Sequence, residues 1–214
     1  MRLGLLGGSF NPIHRCHLSI ARSARQLLQL DRVLFIPTGD PPHKQPGTLA
    51  TASHRHRMVQ LAIEDTPEFA LTDLEIRRSG KSYSIDTVRA IQQEYGPDTV
   101  LFFIIGLDAF LDLPSWKEAD TLLKSCHFVV ISRPSTSFQA MAAIPLFRDV
   151  PQTTLTALDE VRQERADVAI TNGQALTFLR LPPCDVSASE IRARLRSGAS
   201  LANLLPTPVE SYIL

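Results

Sequence analysis

The chain has 214 residues, 44% of them apolar and 21% charged, with 22 Lys and Arg set against 22 Asp and Glu. At roughly 100–200 residues per domain this length points to one domain, and the composition excludes a disordered chain. A formal charge of zero removes the long-range field of a general nucleic-acid binder, although a local anion site is still compatible with it.

The cysteines, Cys16, Cys126 and Cys184, are odd in number, widely spaced and free of any C-x-x-C pair. That pattern argues against a disulfide scaffold or zinc ribbon and for a reducing compartment. The first eight residues lack the apolar stretch of a signal peptide, and the longest apolar run, residues 100–105, is far below the roughly 20 residues of a membrane helix. The expectation is a cytoplasmic protein with neither membrane nor nucleic acid as partner.

Strand-like and helix-like runs alternate along the chain. Residues 2–6 are short, apolar and stopped by Gly7-Gly8, which reads as a buried first strand. Residues 17–30 carry Leu18, Ala21, Ala24 and Leu28 at helical spacing, with a start as early as Arg15. Residues 33–36 form a β-rich run closed by Pro37, and residues 39–47 a Pro-rich loop. A helix over 52–65 places Met58, Leu61 and Ala62 inward, with His54, Arg55, His56 and Arg57 on a solvated face. Residues 69–72 read as a short strand and 84–95 as a helix ended by Gly96-Pro97. Residues 99–105 are apolar throughout, as befits a central parallel strand covered on both faces. A helix over 117–124, a strand over 128–131, a mixed and partly helical stretch over 135–166, strands at 168–171 and 176–181, and helices at 187–196 and 209–214 complete the reading. Such alternation predicts an α/β fold with a doubly wound parallel sheet and right-handed crossovers. It is read as a single domain over 1–214 with a small C-terminal helical part over 183–214.

Ligands in such sheets bind beyond the carboxyl ends of the strands, which directs attention to the loops after them. The first reads Gly7-Gly8-Ser9-Phe10-Asn11-Pro12-Ile13-His14-Arg15-Cys16-His17. Paired glycines after a strand let backbone N–H groups approach a phosphate, and His14 and His17, three apart at a helix start, share a face. The alternative is a tight turn with two surface histidines. A metal site is disfavoured because no third ligand follows the H-x-x-H at a suitable spacing. Gly80-Lys81-Ser82 resembles the tail of a Walker A loop but has Glu75 where that motif needs glycine, and no G-x-G-x-x-G is present. Ser187-Ala188-Ser189-Glu190-Ile191-Arg192 fits a capping box, which taken alone is the favoured reading; a helix N-terminus able to hold an anion, with Arg192 as a forked donor, is the alternative.

Taken together, these segments resemble a known family. Residues 7–17 resemble the G-G-x-F-x-P-x-H-x-G-H motif of the HIGH-type nucleotidyltransferases, and residues 187–192 their late S-x-T-x-I-R motif. Pro42-His43-Lys44, Ser82-Tyr83-Ser84-Ile85-Asp86-Thr87, Ile105-Gly106-Leu107-Asp108, Leu113-Pro114-Ser115-Trp116 and Arg133-Pro134 fall in the order seen in bacterial nicotinate-nucleotide adenylyltransferases. The resemblance covers essentially the whole chain. Cys16 stands where the family usually has glycine, Ala188 and Ser189 where serine and threonine are commoner, and Leu107 where a small residue is usual near the expected adenosine site.

The resemblance implies a Rossmann-like fold and transfer of the adenylyl group of ATP to nicotinic acid mononucleotide, giving deamido-NAD and pyrophosphate, with Mg²⁺ accompanying ATP and no protein-held metal. It also implies the site. His14, His17 and Arg192 are the catalytic residues, and Gly7, Gly8, Ser9, Phe10, Gly106, Asp108, Arg133 and Ser187 join them in binding ATP. Lys44, Ser84 and Trp116 serve the second substrate, with Lys44 also able to reach the phosphates. The rival readings are a related transferase acting on nicotinamide mononucleotide or phosphopantetheine, and a non-catalytic nucleotide sensor.

Overall fold

The computed structural model describes residues 1–42, 47–134, 136–170 and 173–214. One seven-stranded sheet has the strand order β3-β2-β1-β4-β5-β7-β6. The strands are β1 (Arg2–Gly8), β2 (Arg32–Pro37), β3 (Phe69–Leu71), β4 (Val100–Gly106), β5 (His127–Ile131), β6 (Arg165–Ala169) and β7 (Ala175–Leu179). By contacts the chain divides into two compact units, Leu5–Tyr83 with Cys184–Leu214, and Met1–Gly4 with Ser84–Pro183.

In the first unit β2 and β3 pair in parallel, Val33 opposite Phe69. Helix α1 (Arg15–Leu28) buries Leu18, Ala21, Ala24 and Leu28, the stripe that the helical spacing predicts, together with Cys16, and ends with Gln29 in the left-handed region at φ 52°. Helix α2 (Ala52–Ile63) departs from its predicted face. It buries Arg55, Met58, Val59 and Ile63, while Leu61 and Ala62 are only half-buried. A one-turn helix α3 (Leu74–Arg77) follows β3, too short to give a periodic signal. The C-terminal part of this unit carries α8 (Ala188–Ser197) and α9 (Thr207–Ile213).

In the second unit β4, β5 and β7 are parallel, and the apolar run predicted to be a central strand is buried from Leu101 to Ile105. The sheet is not wholly parallel, because β6 runs antiparallel to β7. Residues 170–174 are too few for a crossover, and β6 alternates exposed and half-buried residues as a strand with one wet face does. Helix α4 (Ser84–Tyr95) has its predicted bounds. Helices α5 (Leu107–Leu111) and α6 (Ala119–Ser125) follow β4. The mixed stretch contains 3-10 turns at Phe138–Ala143 and Pro145–Phe147 and helix α7 (Gln152–Asp159).

Candidate active site

The elbow between β1 and α1 is built around two rings. Gly8 lies against Phe10, where an added Cβ would come within 3.2 Å of the aromatic ring, and Phe10 itself takes φ 44°. The ring of Phe10 meets His17 edge-on at 5.1 Å, so a small residue at position 8 is what lets the loop fold over its own aromatic anchor.

His14 is the N-cap of α1 and is buried at 6% exposure, while His17, one turn on, is half-buried. The two imidazoles lie 3.8 Å apart between centroids. The backbone N–H of His14 donates to Nδ1 of His17 at 3.2 Å, and the N–H of His17 donates to the carbonyl of His14 at 3.0 Å. Accepting that bond requires an unprotonated Nδ1, which places the ring proton of His17 on Nε2 and makes that atom a donor. No acidic residue occupies the first turn of α1, so its N-terminus keeps an undiluted positive end.

Helix α8 arrives at the same loop. Ser187 is its N-cap, accepting from the N–H of Glu190 at 3.1 Å. The capping box is not reciprocal as its sequence predicts, because the Glu190 carboxylate pairs with Arg194 at 2.8 Å, which neutralises the one acid in that first turn. Arg192 Nη1 donates to the carbonyl of Asn11 at 2.8 Å and Nη2 to Ser189 Oγ at 3.1 Å. That bond to Asn11 brings the Ser187–Arg192 motif onto the glycine–histidine loop, across 181 residues of sequence.

Arg55 corrects the sequence reading most plainly. It is 2% exposed rather than solvated, and its guanidinium donates to the carbonyls of Ser9 (2.9 Å), Ala50 (3.0 Å) and Gly39 (3.3 Å). Burial lowers its pKa, an effect that the buried Glu75 carboxylate opposes. One cation therefore ties the β1–α1 elbow to the loop after β2. Gly39 is packed so closely there that a Cβ would overlap the carbonyl of Glu75.

The cysteines correct a second expectation. Cys16 and Cys184 form a disulfide, with Cα atoms 5.8 Å apart and a sequence separation of 168, and Cys126 is free and buried. Burial drives the Cys126 thiol far above its usual range. An odd count with no short spacing argued against disulfide scaffolds, but one bridge needs only two sulfurs that folding brings together.

The other unit holds two further groups of expected site residues. Gly106, Asp108 and Arg133 converge after β4 and β5. Arg133 Nε stands 3.4 Å from Asp108 Oδ1, and a Cβ on Gly106 would fall 2.5 Å from that oxygen and 2.6 Å from Arg133 Nε. Both charged side chains are more than a third exposed. Leu107, expected near this group, is fully buried and packs in the core. Trp116 is half-buried and meets Phe103 edge-on at 6.4 Å. Its segment is fastened to the first turns of α4, which begins at Ser84, by Lys117–Asp86 (2.9 Å) and Arg89–Glu118 (2.6 Å). The Arg89 hydrogen bond holds the Glu118 carboxyl below its usual range and raises the guanidinium in return. Lys44 lies outside the described residues. Among the described residues no group of three His, Cys, Asp or Glu side chains is placed to hold a metal ion.

A family model described as cytidylyltransferase-like matches residues 5–194. The protein named "Probable nicotinate-nucleotide adenylyltransferase" in Geobacter metallireducens is 43% identical over all of this chain and 95% of its own length. The protein of the same name in Moorella thermoacetica is 36% identical over 99% of this chain and 88% of its own. The solved structure of Plasmodium falciparum nicotinic acid mononucleotide adenylyltransferase complexed with NaAD covers 99% of this chain and 94% of its own, at TM-score 0.72 and 19% identity, a likeness of fold. The chain thus belongs to the cytidylyltransferase-like family and, within it, to the nicotinate-nucleotide adenylyltransferases.

Proposed function

We propose that this chain transfers the adenylyl group of ATP to nicotinic acid mononucleotide, releasing pyrophosphate and forming deamido-NAD, and that it does so in the cytoplasm. The observation that carries the reading is the Arg192–Asn11 hydrogen bond, which sets the N-terminus of α8 against the loop leading into α1. Two helix N-termini, two imidazoles and a guanidinium then serve one polyanion, with the single acid of either first turn neutralised by Arg194.

The nucleophile, a phosphate oxygen of the mononucleotide, is already anionic near neutral pH, so an in-line attack on the α-phosphorus needs no protein nucleophile and no strong base. The protein's task is orientation and stabilisation of charge. Nε2–H of His17 donates to the α-phosphate as its charge grows. His14, at the N-cap, contacts the phosphates beside it, with Gly7, Gly8, Ser9 and Phe10 forming the backbone cradle. Ser187 and Arg192 hold the β- and γ-phosphates of the leaving pyrophosphate. Gly106, Asp108 and Arg133 bind the adenosine, Lys44 reaches the phosphates, and Trp116 and Ser84 receive the pyridine nucleotide. Mg²⁺ fits as an ion carried on the phosphate oxygens and water rather than in a protein cage, since no acid lies free in either first turn. When bound it neutralises charge on the triphosphate.

The test is product analysis with ATP labelled at the α-phosphorus. The label is expected in a dinucleotide, with one pyrophosphate released per dinucleotide formed. Label recovered as free AMP, or no pyrophosphate, would overturn the reading.

A further inference from the structure

Cys16 and Cys184 take no part in the chemistry above, yet each lies inside its machinery. Cys16 is the second residue of α1, between His14 and His17, and Cys184 stands three residues before Ser187, the cap of α8. The two residues are not equivalent. Cys16 is 2% exposed, whereas Cys184 is exposed on a stretch, residues 181–187, with no regular secondary structure.

We propose that the Cys16–Cys184 bond is a thiol–disulfide exchange site that takes a dithiol reductant at Cys184, and that its state sets how tightly the triphosphate cradle holds ATP. The effect on affinity rests on the ATP reading above. A thiolate of the reductant attacks the sulfur of Cys184, the exposed residue of the pair, a reductant–Cys184 bond forms, and the Cys16–Cys184 bond breaks with its electron pair leaving on Cys16. Cys16 then takes a proton from solvent. The second thiolate of the reductant attacks its own bonded sulfur and releases Cys184, which is protonated in turn. The protein gains two electrons and two protons, and the dithiol becomes a disulfide. Cys16 suits the leaving role, because a helix N-terminus with no acid in its first turn stabilises a thiolate.

The bond is a clasp between the two phosphate motifs. While it is closed, the lead into α8 is pinned to the first turn of α1, and Ser187 and Arg192 keep a set distance from His14 and His17. Opening it frees Cys184 from α1 and leaves the hydrogen bonds of Arg192 to Asn11 and of Arg15 to the carbonyls of Leu204 and Leu205 to hold the C-terminal segment on the loop. A loosened cradle weakens ATP binding, because part of the binding free energy is spent on bringing the two motifs back together. In reducing compartments a bond of this kind is characteristically transient and redox-sensing.

The experiment compares the full chain after diamide and after dithiothreitol. Free thiols are counted by alkylation under denaturing conditions and mass measurement, and affinity is titrated with a non-hydrolysable ATP analogue. One free thiol is expected in the oxidised protein and three after reduction. Affinity is expected to fall at least about fivefold on reduction, the lower end of ordinary coupling between sites. Cys184→Ser, at an exposed position, should show the weaker affinity with or without reductant. Three thiols after diamide, or unchanged affinity once three thiols are titrated, would overturn the proposal. Analogue binding to neither form would instead overturn the ATP reading and the affinity effect built on it, while the thiol counts would still decide whether the exchange site exists.

Discussion

Replacing His17 separates two duties that its ring performs at once. Nδ1 accepts the backbone N–H of His14 at 3.2 Å, closing the start of α1, and in the proposed reaction Nε2–H donates to the α-phosphate. The first duty resembles a helix cap, worth about 0.5–2 kcal/mol of stability. The second resembles an oxyanion donor, whose loss costs ~10²–10³ in turnover, or about 2.7–4 kcal/mol. His17→Asn keeps an oxygen where Nδ1 stood but has nothing at the place of Nε2. It should therefore unfold within about 0.5 kcal/mol of the parent, on the scale of one cap bond preserved, while kcat falls ~10²–10³. His17→Gln places an amide nitrogen near the Nε2 position and should retain more turnover than the Asn variant, with a weaker α1 start. The assay is pyrophosphate release at saturating Mg·ATP and nicotinic acid mononucleotide, paired with urea unfolding. Wild-type turnover in the Asn variant would refute the donor role. Turnover loss that simply tracks stability across the variants would reduce His17 to a cap.

Arg55→Ala removes three hydrogen bonds to loop carbonyls and leaves Glu75 buried without the cation beside it, so it should cost about 3–5 kcal/mol in urea unfolding. Arg55→Lys should recover little, since an ammonium does not reproduce the guanidinium fork; stability within about 1 kcal/mol in either variant would contradict the bracing role. Gly106→Ala drives a methyl group into Asp108 and Arg133, and should raise KM for ATP by about tenfold or more with the fold intact, where an unchanged KM would remove these residues from the ATP site. Trp116→Ala should raise KM for the pyridine nucleotide far more than KM for ATP, and equal effects on both would mean that the ring only packs against Phe103.

The elements that read correctly from the sequence are those with strong local signals. Residues 100–105 are apolar without interruption, α4 is bounded by Ser84 and Gly96-Pro97, and the α1 stripe repeats at helical spacing. Misreadings came where folding imposed a partner that local pattern does not encode. Arg55 sits three and four residues before Met58 and Val59, so it shares their buried face, a signal that its charged neighbours masked. The direction of β6 hung on the short connection at residues 170–174. The cysteine pair spans 168 residues, and nothing in that spacing distinguishes bonded from free sulfurs. The glycine–histidine loop and the Ser187 motif read from their residues as separate anion sites, and only the family resemblance brings them to one ATP. The bond that joins them, from Arg192 to a backbone carbonyl, is not legible, because a carbonyl acceptor leaves no mark in the sequence.

Adenylyl transfer to a nicotinate nucleotide is decided by kcat/KM for three acceptors offered with Mg·ATP: nicotinic acid mononucleotide, nicotinamide mononucleotide and phosphopantetheine. Pyrophosphate release is expected with a preference for the nicotinate substrate of at least about tenfold, the discrimination that a site with donors matched to a carboxylate would show against the amide. Equal or better use of either other acceptor would contradict it.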